Sequence, residues 1–372
     1  MSFLVLLLMA IGKKINLSDR LTLKEALNQN DFSSIITLLK RIFKYTVIFE
    51  LIGTVLLSTV FVPEFGLRKG LFYSLFHSIS AFCNCGIDIL GDNSLINYSG
   101  NIIVNITIMA LIITGGLGFT VWADISDAFK KRKKEKTPYT RLVKELTLHT
   151  KIVLITTILL LAAGTILIYC FEYNNLTTMA YNSNGEKLLK SAFQSTTLRT
   201  AGFSTIPQSE MTSVSKLISV CYMFVGGSPG STAGGIKNVT MFVVLLLVIS
   251  YMKDKDKINI FSRNIPESVI KRAIVVFAIS IFVIILSIFG LLFTESFVKE
   301  EMLSSNLTPY YTLGFMDIIF EVVSAFGTVG LSLGITPTLT IGGKIIIMLL
   351  MIIGRLRTSN YFNCFVKKEQ GK

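Results

Sequence analysis

The chain has 372 residues, of which 51% are hydrophobic and 16% charged, and a mean hydropathy of +0.63, which is more apolar surface than one water-soluble core can absorb. A net charge of +13 would suit nucleic acid or anionic lipid, but the basic residues gather in segments alternating with apolar stretches, the pattern of inner loops in a bilayer protein. Five cysteines with one close pair, Cys83 and Cys85, and two isolated histidines, His77 and His149, argue against a disulfide framework and a metal centre.

Residues 3–11 are apolar but far shorter than the roughly 20 helical residues that cross a bilayer. With no basic leader or cleavage site they read as the tail of a helix, not a signal peptide. Lys13, Lys14, Arg20, Lys24, Lys40 and Arg41 then mark a cytoplasmic connector, so residues 1–44 form one segment.

Residues 45–127 read as a first pore unit. A span at 45–62 is ended by Pro63 and carries Glu50, a functional candidate or a helix-end ion pair. Residues 70–82 have helical character but half a membrane's length, as in a pore helix, and lead into Asn84, Cys85 and Gly86. Asp88 and Asp92 follow, either concentrating cations at an outer mouth or simply solvated. A second span at 100–122 holds Gly115, Gly116 and Gly118, whose spacing suits close packing or a widened inner pore and not a dinucleotide fingerprint. The loop at 128–149, with Lys130 to Lys134, Lys136, Arg141 and Lys144, is a topology signal that would also suit anionic lipid or a soluble partner.

The second unit, residues 150–252, repeats the order: a span at 151–171, an outer loop at 172–186, a half-length helix at 187–197, then Thr200, Ala201 and Gly202. Residues 214–252 are too long for one span and are interrupted by Gly226, Gly227, Ser228, Pro229, Gly230, Ser231, Thr232, Ala233, Gly234, Gly235 and Lys237. Such backbone is tolerated at membrane depth only where it lines a cavity or is buried in protein, so it is expected beneath the pore loops. Gly226 to Gly230 formally match Gly-x-Ser-x-Gly, but Pro229 has no N–H for an oxyanion and no strand precedes it, so no enzyme is expected.

After an inner loop at 253–272 comes the third unit, residues 273–356, with a span at 273–293, an outer loop holding Glu295, Glu300 and Glu301, a half-length helix at 311–326, then Thr328, Val329 and Gly330. Aligned on their last glycine, residues 80–86, 196–202 and 324–330 share a hydroxyl residue, three residues, Asn or Thr, one residue, then Gly. Glycine there lets backbone carbonyls point inward and replace the water of a dehydrated cation. Gly226 lies 24 residues after Gly202, and Gly354 lies 24 after Gly330, which suggests equivalent depths.

Through residues 76–82 (FHSISAF), 114–119 (TGGLGF), 199–203 (RTAGF), 226–235 (GGSPGSTAGG) and Gly354-Arg355, the chain resembles the Ktr/Trk/HKT superfamily of potassium transporters, and the Ktr-type membrane subunit most. The resemblance implies an all-α integral membrane fold of four helix, pore loop, helix repeats around one central pore, of which three are recognisable here. It implies a multi-pass protein of the cell membrane, a homodimer, and a cytoplasmic nucleotide-binding regulatory subunit of the KtrA/TrkA type. Potassium would be the substrate and sodium a candidate activating ion, with no cofactor in this chain and no nucleic acid partner. Carbonyls of Asn84, Cys85, Gly86, Thr200, Ala201, Gly202, Thr328, Val329 and Gly330 would form the filter. The break at 226–237 would be the gate, with Arg355 projecting toward it and Arg199 tied from behind to a carboxylate or carbonyl.

Two departures stand out. The first repeat is missing apart from residues 3–11, and residues 357–372 form an atypical polar tail where the family continues an apolar helix. A truncated or frame-disrupted gene product is the leading expectation. The alternatives are a genuine three-repeat variant, a non-conducting subunit that keeps only assembly and regulator contacts, or a sodium or mixed monovalent cation transporter.

Overall fold

A computed structural model describes residues 32–91, 93–135, 145–254, 259–260, 263–304 and 314–356. The expectations for residues 3–11, most of the 1–44 connector, Asp92, Lys136, Arg141, Lys144, the side chains of Glu300 and Glu301, and the 357–372 tail lie outside the described residues.

The described chain is helical apart from one hairpin pairing Asn259–Ile260 with Arg263–Asn264. In order the helices are α1 (Phe32–Phe65), α2 (Leu67–Phe82), α3 (Ile102–Leu117), α4 (Phe119–Glu135), α5 (Leu148–Glu172) and α6 (Asn184–Thr197). They continue with α7 (Ser213–Phe224), α8 (Asn238–Met252), α9 (Glu267–Ser304), α10 (Phe315–Gly327) and α11 (Ile341–Leu356). Within α1, α5 and α9, the stretches Lys40–Phe65, Leu148–Glu172 and Glu267–Glu295 are long and apolar enough to cross a membrane. Their outward faces carry Leu51, Val55, Ile158, Leu159, Phe282 and Phe289, all exposed, as lipid contact requires.

α2, α6 and α10 have 16, 14 and 13 residues, about 20–24 Å at the helical rise, so each reaches only part-way through a bilayer. α2 folds back on α1 and α6 on α5, while α10 packs between α7 and α11. α6 starts at a reciprocal capping box between Ser183 and Glu186. The polar residues on its buried face are satisfied locally: the Ser191 hydroxyl donates to the Lys187 carbonyl, Thr196 to Ala192, and Gln194 pairs with Gln208 in both directions. The two largest apolar clusters among the described residues are one that joins Leu57, Phe61, Phe82, Ile108, Phe193 and Phe203 and one that joins Ile168, Met223, Leu291, Phe320, Phe326 and Leu350. These cores fix the inner ends of the short helices, and therefore the loops that follow them.

Several boundaries differ from those read in the sequence. α1 continues through Pro63 to Phe65, because a proline in the last turn removes one backbone bond and ends the helix only two residues later. The second span stops at Leu117, where Gly118 takes φ 92° and the chain turns by 91° into α4. The first part of the basic segment is therefore helix and not loop. α9 extends to Ser304, so Glu295 belongs to a helix, and Glu172 closes α5 instead of opening a loop.

Candidate functional site

Each short helix runs into a loop with the same backbone signature. Asn84, Thr200 and Thr328 adopt φ of 49°, 66° and 51°, and two residues later Gly86, Gly202 and Gly330 adopt 69°, 92° and 92°. For the two threonines this is a rare conformation costing on the order of 1–3 kcal/mol, held in place by surrounding contacts. The Cys85 N–H donates to the Ser80 carbonyl and Val329 to Ser324, both at 2.9 Å, while the hydroxyls of Ser80 and Ser324 donate to the carbonyls of Ile87 and Leu331. In the middle loop the equivalent hydroxyl bond is made one residue on, from Thr197 to the Phe203 carbonyl. The shared sequence frame had placed it at Thr196, which instead bonds within its own helix.

The three loops meet. A Cβ on Gly202 would lie 2.5 Å from the Val329 carbonyl oxygen, and one on Gly86 would collide with the Ala201 carbonyl oxygen and lie 2.7 Å from the Gly202 Cα. The first loop thus backs onto the second and the second onto the third, at spacings only glycine allows. Among the described residues, a Cβ on Gly330 would meet only the Gly202 Cα, at 3.7 Å. Ala201, Val329, Thr200 and Asn84 are buried and Cys85 is exposed.

The glycine-rich segment 226–237 separates α7 from α8 and is folded on itself: the Gly226 N–H donates to the Ile236 carbonyl and Asn238 to Gly227. It sits against the inner ends of two short helices. The Thr232 hydroxyl donates to the Phe82 carbonyl at 3.1 Å, and a Cβ on Gly234 would strike the Thr328 hydroxyl and lie 3.1 Å from the Gly327 carbonyl oxygen. Two basic side chains hold the turn at 232–233, Arg355 donating to the Thr232 carbonyl at 2.8 Å and Lys237 to Ala233 at 2.7 Å. Ser228 is buried and donates to the carbonyls of Gly116 and Leu117. A nucleophile would need that hydroxyl free. Pro229 and Gly230 face the elbow instead, where a Cβ on Gly118 would lie 2.8 Å from the Pro229 carbonyl oxygen and the Phe119 N–H donates to Gly230 at 3.0 Å. Ser231, Ala233 and Gly235 complete the loop, with a cavity of about 120 Å³ beside Gly235, Lys237, Ser280 and Gly354.

The 24-residue spacing is not matched by equivalent contacts. Gly115 and Gly354 are the counterparts, each pressed against the last carbonyls of a short helix, Phe82 and Phe326, whereas Gly226 backs onto Gly234 of its own loop. Arg199 is buried and donates to the Thr157 hydroxyl at 3.4 Å, not to a carboxylate or carbonyl.

Sequence reasoning missed three carboxylates as braces. Glu64, near the end of α1, accepts from the Tyr98 hydroxyl before α3. Glu172, ending α5, accepts from the N–H and hydroxyl of Thr212, the cap of α7, and from Asn175 and Thr178. Glu295 accepts from the N–H and hydroxyl of Thr340, just before α11. In each unit the outer end of the first long helix is tied to the start of the last one. The partners lie 34 to 45 residues apart, so no local motif announces them.

Helices long and apolar enough to cross a bilayer, with exposed apolar faces, define a multi-pass membrane protein, in which three short helices end in strained loops that meet. The TrkH family, described as a cation transport protein, matches residues 1–372. The chain belongs to that family, whose members move cations and are not enzymes. It is 40% identical over 370 residues to the Ktr system potassium uptake protein B of Bacillus subtilis, covering 100% of this chain and 77% of that one. It is also 40% identical to the potassium/sodium uptake protein NtpJ of Enterococcus hirae, covering 92% and 70%, and 34% identical to the Ktr system potassium uptake protein B of Vibrio alginolyticus, covering 96% and 72%. The solved potassium transporter TrkH from Vibrio parahaemolyticus shares the fold with a TM-score of 0.66 at 17% identity, covering 87% of this chain. This chain spans 63% of that one's length.

Proposed function

We propose that this chain is the pore-forming subunit of a potassium uptake system, with the loops at 84–86, 200–202 and 328–330 as its carbonyl-lined filter and segment 226–237 as a gate on the inner side. The observation that carries the reading is the nesting of Gly86 on the Ala201 carbonyl and of Gly202 on the Val329 carbonyl, which brings the backbones of three loops together at one place. Carbonyls so held can stand in for the hydration shell of a monovalent cation, and the short helices direct their negative ends toward the same point. Arg355 places positive charge on the loop beneath, where it opposes cation passage until the loop moves.

Assembly as a homodimer with a cytoplasmic nucleotide-binding subunit, and a sodium effect on transport, belong to the same proposal. They rest on the similarity to potassium uptake proteins of the Ktr system. A mixed potassium and sodium transporter is the second reading, favoured by the similarity to the potassium/sodium uptake protein. The test is rubidium uptake in cells stripped of their own potassium uptake systems, with sodium as competitor. Uptake that sodium does not displace supports the first reading, equal competition supports the second, and no uptake by protein present in the membrane contradicts both.

A further inference from the structure

α4 is anchored at one end and open at the other. Turned 91° from the span before it at Gly118, it runs across that span's axis instead of continuing it. Val121 is buried with Leu117 and Val153, and the Trp122 indole N–H donates to the Thr114 carbonyl at 3.0 Å. The acids in the body of this helix are already engaged by protein donors: Asp124 accepts from the N–H and hydroxyl of Thr147, and Asp127 takes a two-pronged contact from Arg41. Its last turns are different. Lys130, Lys131, Lys133 and Lys134 are exposed, beside exposed Phe129 and half-buried Arg132, with Glu135 the one acid at that end. Lys130 reaches Asp127 only at 4.0 Å and Lys131 reaches Glu145 at 3.7 Å, with both lysines more than half exposed, so these pairs hold them weakly.

The anchored end is bonded to the glycine-rich loop. Ser228 donates through its N–H and its hydroxyl to Gly116, and through the hydroxyl to Leu117, while Thr232 N–H donates to Gly115 and Phe119 N–H to Gly230. Of these bonds only Phe119 N–H to Gly230 lies on the α4 side of Gly118, and the others hold the loop to the end of α3, so a rotation of α4 about Gly118 acts on the loop through Gly230.

We propose that α4 is an in-plane lever that docks on the anionic headgroups of the inner leaflet and passes their presence through the Gly118 elbow to segment 226–237. A helix axis perpendicular to the preceding span, an exposed aromatic and a run of lysines are the features of a helix that lies on an anionic membrane surface. A soluble acidic partner would not require the helix to lie against the bilayer. The assignment of segment 226–237 as a gate rests on the function proposed above; the lipid site does not.

Trp122 is the sole tryptophan of the chain, so its emission reports on α4 directly. The protein is placed in nanodiscs of phosphatidylethanolamine with increasing phosphatidylglycerol, and compared with a variant carrying Lys130→Gln, Lys131→Gln, Lys133→Gln and Lys134→Gln. A Trp122 response to phosphatidylglycerol is expected, with the variant needing about tenfold more anionic lipid or showing no response. Identical spectra at all compositions, or a variant that responds like the parent, would overturn the lipid site and leave the lysines to a soluble partner. Hydrogen exchange of the peptide covering 226–237, read on the same discs, tests the lever without any transport. Exchange that changes with phosphatidylglycerol in the parent only is expected. Exchange that ignores lipid while Trp122 responds would overturn the coupling and keep the site.

Discussion

Gly202 stands where no other residue fits: a Cβ there would lie 2.5 Å from the Val329 carbonyl oxygen, and its φ of 92° is one that side chains avoid. Gly202→Ala should therefore push the second loop off the third. Rubidium uptake should fall at least about tenfold, since the strain and the clash together are worth more than 1.4 kcal/mol. Among the described residues Gly330→Ala meets nothing closer than 3.7 Å and suffers only from its φ, so it should be the milder substitution of the two. Uptake assays on both, at matched membrane levels, check the order.

Potassium should stabilise the purified protein more than sodium does. A ligand that binds the folded state at 100 times its dissociation constant contributes about 2.7 kcal/mol. The melting temperature should rise with potassium in the parent and stay flat in Gly202→Ala. A potassium effect that survives this substitution would place the ion elsewhere.

Glu172 illustrates how a membrane acid can be structural. Its carboxylate gathers donors from Thr212, Asn175 and Thr178 and is wholly buried. Glu172→Ala leaves these donors without a partner and should cost about 2–4 kcal/mol, read as a lower melting temperature in detergent. Glu172→Gln keeps one acceptor and should lose less. Since α7 leads into the glycine-rich loop, the alanine variant should also alter uptake.

Ser228 is a latch in this account, not a nucleophile. Ser228→Ala removes the hydroxyl bonds to Gly116 and Leu117, about 1 kcal/mol, which corresponds to a roughly fivefold shift in the loop's equilibrium. Uptake at fixed external potassium should rise. A fall, with the protein's melting temperature unchanged, would mean that the latched loop is the conducting arrangement.

The sequence was most legible where one residue type answers one physical need. Glycines at 86, 202 and 330, and the glycine-rich break before Lys237, announce backbone that no ordinary helix can provide, and the short helices before them follow from length alone. Thr200 and Thr328 were legible as part of a frame but not as left-handed residues, because β-branched side chains disfavour that conformation and only tertiary contacts impose it. The elbow at Gly118 was read as packing, since a glycine near a helix end does not reveal a 91° turn. Glu295 was read as an outer-loop acid because its partner, Thr340, lies 45 residues away.

The central claim is that the nested loops carry the ion. The most direct measurement is rubidium uptake by the parent and by Gly86→Ala, Gly202→Ala and Gly330→Ala, in cells stripped of their own potassium uptake systems. The account predicts uptake by the parent, loss in the first two and a smaller deficit in the third. Equal uptake by all four proteins would show that these loops lie off the conduction path.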